Sequence, residues 1–313
     1  MNRIDVVCLC DSYDLKALFA DFFSEDHSWV NLLSPDEVTH PESIVHAVAF
    51  RPGPRAFDAY PNLRLVSSAG AGVDGLLDNP SLRPEIDVSR LTVVEQAQGM
   101  AGFAVWFIVG WHRSMWHYAP AQAKQEWDGI KPAPMEDFPV GILGHGNIGS
   151  HLSQTLRALG YPVTAYGRTA RIDGEVQVVS GSEGLAEIAK GSRAIVNLLP
   201  LTKQTQDILS ASFFANMRSD AILIHLGRGP HLVEEDLVKA LDQGHLAMAA
   251  LDVFASEPLP ADHPFWRHDK IKVTPHVSGD VEFRAVCAWI AAGIRRFEKG
   301  ETPEGLVDRE RGY

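Results

Sequence analysis

Cysteine is scarce in this chain: Cys8, Cys10 and Cys287 are the only three. An odd number with one C-x-C pair suits neither a disulfide framework nor a zinc site, and fits a reducing compartment. Basic residues are also short, 28 Lys and Arg against 40 Asp and Glu, for a net charge of −12. An acidic surface argues against nucleic acid or an anionic membrane as the main partner, although a locally positive site can still take an anion. Long apolar runs are missing too. The longest, Met100 to Trp111, is followed at once by His112 and Arg113, whereas a membrane-spanning helix needs roughly 20 residues. That stretch reads as a buried helix, in a core or a subunit interface. The opening MNRIDVVCLCDSYD has no secretory h-region, and neither repeats nor low-complexity tracts occur. What remains is a cytoplasmic globular protein whose 313 residues can build two cores without disulfide or metal.

The two halves of the chain differ in texture. The first carries short apolar strands, IDVVCLC from Ile4, VHAVAF from Val45 and LRLVSS from Leu63, separated by Pro-rich polar segments. From Phe138 the alternation becomes regular, with runs at 140–143, 162–166, 194–199, 221–226, 247–254 and 271–275 and helix-like stretches between most of them. Runs apolar on both faces, joined by helices, are what a parallel sheet covered on both sides requires. Six such strands are the number in a full dinucleotide-binding fold. After Pro275 the segment EFRAVCAWIAAGIRRFEKGE reads as one amphipathic helix that returns to the N-terminal half. The expected fold class is α/β: two Rossmann-like or flavodoxin-like domains with parallel sheets and an active-site cleft between them. Residues 1–98 with 280–313 form a discontinuous substrate-binding domain, and 99–279 a dinucleotide-binding domain.

The segment GILGHGNIG follows the strand VGIL and opens a helix. A bare G-x-G-x-x-G is weak evidence, but this context gives each glycine a task. Gly144 permits the tight turn, Gly146 lets backbone approach a pyrophosphate, and Gly149 lets helix pack on strand. His145, Asn147 and Ile148 complete the loop, whose helix N-terminus offers unpaired N–H groups to phosphate. An NAD site places a carboxylate about 20 residues further on, for the ribose 2′-OH. Here that turn reads Gly167-Arg168-Thr169, with no carboxylate before Asp173. A guanidinium and a hydroxyl suit a 2′-phosphate, so NADP(H) is the favoured cofactor, with NAD(H) left open.

Three later strands end in chemically capable residues: Arg228 after AILIHL, Glu257 after AMAALDVF, and His276 after IKVTP. Each alone is unremarkable. Together, at the strand ends where doubly wound sheets bind ligands, they fit hydride addition to a keto carbon. The oxygen that gains charge needs a proton, which an imidazolium supplies, and an adjacent carboxylate keeps that imidazolium populated. A guanidinium, given room by Gly227 and Gly229, binds the substrate carboxylate and polarises the carbonyl. In the first half, Gly70, Ala71 and Gly72 follow a strand and can converge their N–H groups on an anion. Arg51, at another strand end, can add charge.

At this point the residues resemble the D-2-hydroxyacid dehydrogenases, within them the glyoxylate/hydroxypyruvate reductase A branch. The likeness rests on SSAGAGVD, GILGHGNIG, NLLPLT, GRGPHLVEEDL, LDVFASEPLP, VTPHVSGD and the terminal VDRERGY. It implies NADPH-preferring reduction of a small 2-keto acid, with Arg228 binding and polarising substrate, His276 as acid/base and Glu257 as its partner. It implies that the backbone of Ala71 and Gly72 holds the substrate carboxylate and that Arg168 and Thr169 meet the 2′-phosphate. It extends the cofactor contacts to Leu199, Pro200, Thr205, Leu226, Gly227 and Asp252. It also implies a homodimer joined through the nucleotide-binding domain, which would use the apolar helix. Departures are Gly227 where Ala or Asn is more usual, Leu201 in place of a polar residue, and Gly99 and Gly102 inside the apolar helix.

L-lactate and malate dehydrogenases place their glycine motif near the N-terminus, unlike this chain. A formate dehydrogenase of the same fold carries Gln where Glu257 stands, and a phosphoglycerate dehydrogenase carries a regulatory extension. From another class, a nicotinamide-sensing corepressor-like binding protein shares the fold; turnover of glyoxylate separates it from an enzyme.

Overall fold

The alternation of apolar strands and helical stretches produces two separate sheets. The computed structural model describes residues 3–312, so Tyr313 of the terminal motif lies outside the described residues. One unit holds the chain up to Val94 and again from Val281; the other holds Glu95–Asp280.

In the first unit the strands are β1 (Ile4–Leu9), β2 (Val30–Leu33), β3 (His46–Ala49), β4 (Leu65–Ser68) and β5 (Asp87–Ser89), with helices α1 (Leu15–Asp26) and α2 (Asp74–Leu77). The order is β2-β1-β3-β4-β5 and every pairing is parallel. That is the flavodoxin-like order, with its switch point between β1 and β3. Strands β2 (VNLL) and β5 (DVS) escape the sequence pattern because each is short and interrupted by polar residues. Asp14 caps α1 by accepting from the Ala17 N–H at 2.9 Å, satisfying one of the donors a helix start leaves open. The buried face of α1, Leu15, Phe19 and Phe23, lies in one cluster with Val286, Ile290 and Ile294 of the C-terminal helix (Phe283–Glu298). The expected return of that helix to the N-terminal half is thus observed. Truncating fully buried Ile290 to Ala would cost about 2–5 kcal/mol.

The second unit contains α3 (Val94–His112), α4 (Met115–Ala123), β6 (Val140–Leu143), α5 (Asn147–Ala158), β7 (Val163–Tyr166), β8 (Arg171–Asp173), β9 (Val176–Val179) and α6 (Gly181–Gly191). It continues with β10 (Ala194–Asn197), α7 (Ala211–Phe214), β11 (Ile222–His225), α8 (Glu234–Gln243), β12 (Met248–Leu251) and β13 (Ile271–Val273). The sheet runs β13-β12-β11-β10-β6-β7-β9-β8. It is parallel except for β8, which pairs antiparallel with β9. The six-strand expectation is therefore corrected to eight. The missed β9 is VQVV, with Gln177 exposed between the buried Val176 and Val178, so it offers no continuous apolar run. It turns back from β8 at Gly174, whose φ of +60° only glycine adopts freely.

Each face of this sheet carries its own core. Ala101, Ala104 and Ile108 of α3 with Leu152 and Leu156 of α5 cover one. Ile188, Phe214, Leu237 and Leu241 cover the other. The stretch expected to be buried in a core or a subunit interface lies in α3 and has one face in the core: Ala104 and Ile108 are sealed, while Trp106 is 62% exposed in the single chain. Among the described residues no helix is long and apolar enough to cross a membrane.

Candidate functional site

The glycine loop sits after β6, where the chain leaves β6 for β7 and later returns beside it as β10. This is the switch point at which ligands bind such sheets. The three glycines divide the work as their spacing predicts. Gly144 has φ +104°, and a Cβ there would stand 2.8 Å from Leu198 O. At Gly149 a Cβ would lie 1.9 Å from Gly144 O, so the first turn of α5 lies directly on the loop. Gly146, the N-cap of α5, has nothing within 4 Å of its missing Cβ. The loop is therefore open at the one glycine where a phosphate must approach, and the start of α5 adds N–H groups and a positive dipole end. This donor set fits a dinucleotide.

His145 lies on the loop with its side chain turned to the protein. The ring is buried, with Nε2 3.1 Å from Ser153 Oγ and Nδ1 3.2 Å from Asp173 Oδ2, which leaves only its main chain on the loop. Burial keeps its pKa below the ordinary histidine value, against the pull of Asp173.

Arg168 and Thr169 are exposed in the turn after β7. The structure adds a residue that the sequence pattern passes over, Arg171. Its Nη2 donates to His145 O at 3.2 Å. Its Nη1 lies 3.6 Å from where a Gly167 Cβ would be. Arg171 also pairs with Asp173 at 3.6 Å. A second guanidinium thus stands where an NAD site would place its carboxylate. The signal was available: an Arg three residues after Arg168, on a hairpin whose strands were not recognised.

Arg228, Glu257 and His276 follow β11, β12 and β13, neighbours in the sheet. With strands about 4.8 Å apart, the three ends fall within roughly 10 Å. His276 Nδ1 donates to Glu257 Oε2 at 2.9 Å, while Glu257 Oε1 accepts the Phe254 N–H at 3.1 Å. With both carboxylate oxygens engaged as acceptors, Nδ1 carries the proton and Nε2 faces away from Glu257, available to a substrate. The His276 backbone is left-handed, φ +55°, a conformation that costs a non-glycine residue energy and clusters at functional sites.

Asp252, expected among the cofactor contacts, is fully buried and braces the His276 loop. It accepts from Thr274 Oγ1 at 2.6 Å, the Val277 N–H at 3.0 Å and the Ser278 N–H at 2.9 Å. The glycines beside Arg228 also serve differently from expectation. A Cβ at Gly229 would meet Phe254 C at 2.0 Å, and one at Gly227 would meet His231 Nδ1 at 2.9 Å. They permit close packing rather than free projection, and the Arg228 Nη1 donates back to Gly227 O at 2.8 Å. Leu199 and Leu226 are buried. Thr205 Oγ1 donates to Pro200 O at 2.7 Å, closing the turn after β10.

In the first unit Gly70, Ala71 and Gly72 follow β4, and Arg51 follows β3. The Gly70 N–H donates to Ser68 Oγ at 3.2 Å, so Gly70 shapes the turn that Ala71 and Gly72 continue. Arg51 stacks over the Phe50 ring at 5.6 Å with φ +45°, another strained non-glycine position at a predicted site residue.

Residues 105–278 match the family model for the D-isomer specific 2-hydroxyacid dehydrogenase, NAD binding domain. A glyoxylate/hydroxypyruvate reductase A from Serratia proteamaculans is 39% identical over 274 residues, covering 86% of this chain and 87% of the relative. Among solved structures, a D-isomer specific 2-hydroxyacid dehydrogenase from Xanthobacter autotrophicus Py2 in complex with NADPH and MES superposes with TM-score 0.92 at 31% identity, covering all of both chains. An NADPH-dependent glyoxylate/hydroxypyruvate reductase from Sinorhizobium meliloti, in complex with NADP and sulfate, gives TM-score 0.91 at 29% identity over 99% of this chain and 100% of that one.

Proposed function

The chain belongs to the D-isomer specific 2-hydroxyacid dehydrogenases, and on that premise we propose that it reduces a small 2-keto acid, glyoxylate or hydroxypyruvate, to the D-2-hydroxy acid with NADPH. The relatives and NADP-bound neighbours support this reading. The observation that carries it is the pairing of His276 Nδ1 with Glu257 Oε2 at 2.9 Å, beside a glycine loop fit for a dinucleotide.

Amides of the 144–149 loop would hold the pyrophosphate. Arg168, Thr169 and Arg171 would hold the 2′-phosphate, with Leu199, Pro200, Thr205, Leu226 and Gly227 as further cofactor contacts. The bound nicotinamide supplies the hydride. Arg228 pairs with the substrate carboxylate and draws electron density toward the keto oxygen, so charge developing there meets a fixed guanidinium. His276 gives that oxygen its proton from Nε2. Glu257 holds the Nδ1–H throughout, fixing the ring and stabilising the imidazolium before transfer. Gly70, Ala71 and Gly72, with Arg51, are proposed substrate contacts in the first unit, the amides suited to a carboxylate.

We further place the enzyme in the cytoplasm, in keeping with three free cysteines, and assign a homodimer through the nucleotide-binding unit, in keeping with the exposed Trp106 on α3. The deciding assay follows NADPH absorbance with glyoxylate, hydroxypyruvate, pyruvate and phenylpyruvate, repeated with NADH. Rapid oxidation with either of the first two, faster with NADPH, is expected. Absence of turnover with all four would overturn the reading, and a lone profile by ultracentrifugation would remove the dimer.

A further inference from the structure

Beneath Arg228 lies a polar cluster with no charged member. Asn197 ends β10, His225 ends β11 and His231 sits in the turn after Arg228; all three are 0% exposed. Polar groups this deep are costly unless bonded, and their bonds fix their proton positions. The Asn197 amide nitrogen donates one hydrogen to His225 Nδ1 and the other to His231 Nδ1, each at 3.1 Å. Its oxygen accepts the Leu199 N–H at 3.3 Å. Both rings therefore accept at Nδ1 and carry their proton on Nε2; that of His231 meets a carbonyl, whereas the buried Nε2 of His225 lies outside hydrogen-bonding distance of a partner. His231 uses the two ends of its ring differently. Nδ1 shares its one lone pair between the Asn197 amide and the Arg228 N–H, the latter also at 3.1 Å, and Nε2 donates to Pro200 O at 3.2 Å. The ring lies against Gly227, where a Cβ would stand 2.9 Å from Nδ1 and 3.0 Å from Asn197 Nδ2. This gives a physical reason for glycine at a position where the family resemblance leads one to expect Ala or Asn.

We propose that His231 is a positioning residue for substrate capture: its Nδ1 fixes the main chain of Arg228, and Asn197 and His225 fix the ring that does so. The Nε2 bond ties the same ring to the Pro200 turn, so one uncharged side chain joins the segment that meets the keto acid to the segment that lines the cofactor. The proposal rests on Arg228 meeting the substrate.

Two variants separate the ends of the ring. In His231→Asn a side-chain oxygen stands near Nδ1; in His231→Gln a side-chain nitrogen stands near Nε2. His231→Gln leaves the Arg228 N–H without its acceptor and is expected to raise the keto-acid KM about tenfold, on the scale of one buried hydrogen bond, with the NADPH KM within about twofold. His231→Asn is expected to keep the keto-acid KM near that of the parent. Gly227→Ala leaves His231 in place but pushes on its ring; it should reproduce the rise, and it decides the matter if either His231 variant fails to melt cooperatively. A parental keto-acid KM in both His231→Gln and Gly227→Ala would overturn the proposal, as would equal rises in both KM values in every variant. Arg228→Ala, assayed alongside, separates the two levels. Parental turnover there removes the role of Arg228 itself. Lost turnover there, with a parental KM in His231→Gln, removes only the role of His231.

Discussion

Glu257 divides its carboxylate between two donors, His276 Nδ1 at 2.9 Å and the Phe254 N–H at 3.1 Å. A glutamine cannot serve both, because its nitrogen would face a donor at one end or the other. Glu257→Gln should therefore lower kcat by about 10²-fold, and His276→Ala and Arg228→Ala by about 10²–10⁴-fold, the usual scale for a positioned acid–base or charge-stabilising group. NADPH binding, followed by fluorescence titration, should persist in all three. Full activity in purified His276→Ala or Arg228→Ala would sink the mechanism.

Gly146 and Gly149 make a matched pair. A methyl at Gly146 meets no protein atom within 4 Å, whereas one at Gly149 would lie 1.9 Å from Gly144 O. Gly146→Ala should melt with the parent and bind NADPH about tenfold or more weakly, because the methyl occupies the space a phosphate needs. Gly149→Ala should lose about 1–3 kcal/mol of stability through overpacking. Unaltered NADPH affinity in Gly146→Ala would show that the loop does not carry the pyrophosphate.

The 2′-phosphate is expected to be shared between Arg168 and Arg171. Each single Ala substitution should raise the KM for NADPH several-fold, roughly the worth of one charge-assisted contact, while NADH is barely affected. If Arg171→Ala weakens both cofactors equally, its bond to His145 O is what matters and it has no part in cofactor choice.

Acid stability follows from the buried histidines. Burial, reinforced by His231, lowers His225 from its ordinary 6.5 to about 3. Burial also lowers His46 and His145. A histidine depressed in the folded state binds protons more readily when unfolded. The neutral ring's contribution is thus intact above pH 6.5 and is lost progressively as pH falls from there toward about 3. His225 alone should cost about 2 kcal/mol at pH 5. Urea melts at pH 7.5 and pH 5 measure this, and a His225→Asn variant should show a shallower acid slope. Equal slopes would refute the assignment.

Much of this was legible in the sequence, and the reason is local. VGIL, the three glycines, and Arg, Glu and His at successive strand ends are signals written over a few adjacent residues, and the strand VGIL runs Val140–Leu143 as read. What escaped is long-range. Strands β8 and β9 pair with each other through a hairpin of alternating polarity, so Arg171 had no visible frame. The bracing role of Asp252, whose carboxylate accepts from Thr274, Val277 and Ser278, depends on partners 22 to 26 positions away. His231 had nothing in its own neighbourhood to reveal Asn197 and Pro200 as partners, each more than 30 positions away.

The hairpin that brings Arg171 to the glycine loop also ends the sheet. Strand β8 is its outermost member, three exposed residues running antiparallel, with Arg171 and Asp173 on either side of Ile172. An open strand edge invites another chain to pair with it, and a short strand studded with opposite charges is how natural sheets discourage that. Arg171, proposed above for the 2′-phosphate, thus bears with Asp173 on colloidal behaviour as well. An engineer who replaced both with apolar residues to erase the preference for NADPH would also leave Ile172 at the centre of an adhesive border, and would meet precipitation before a change of cofactor.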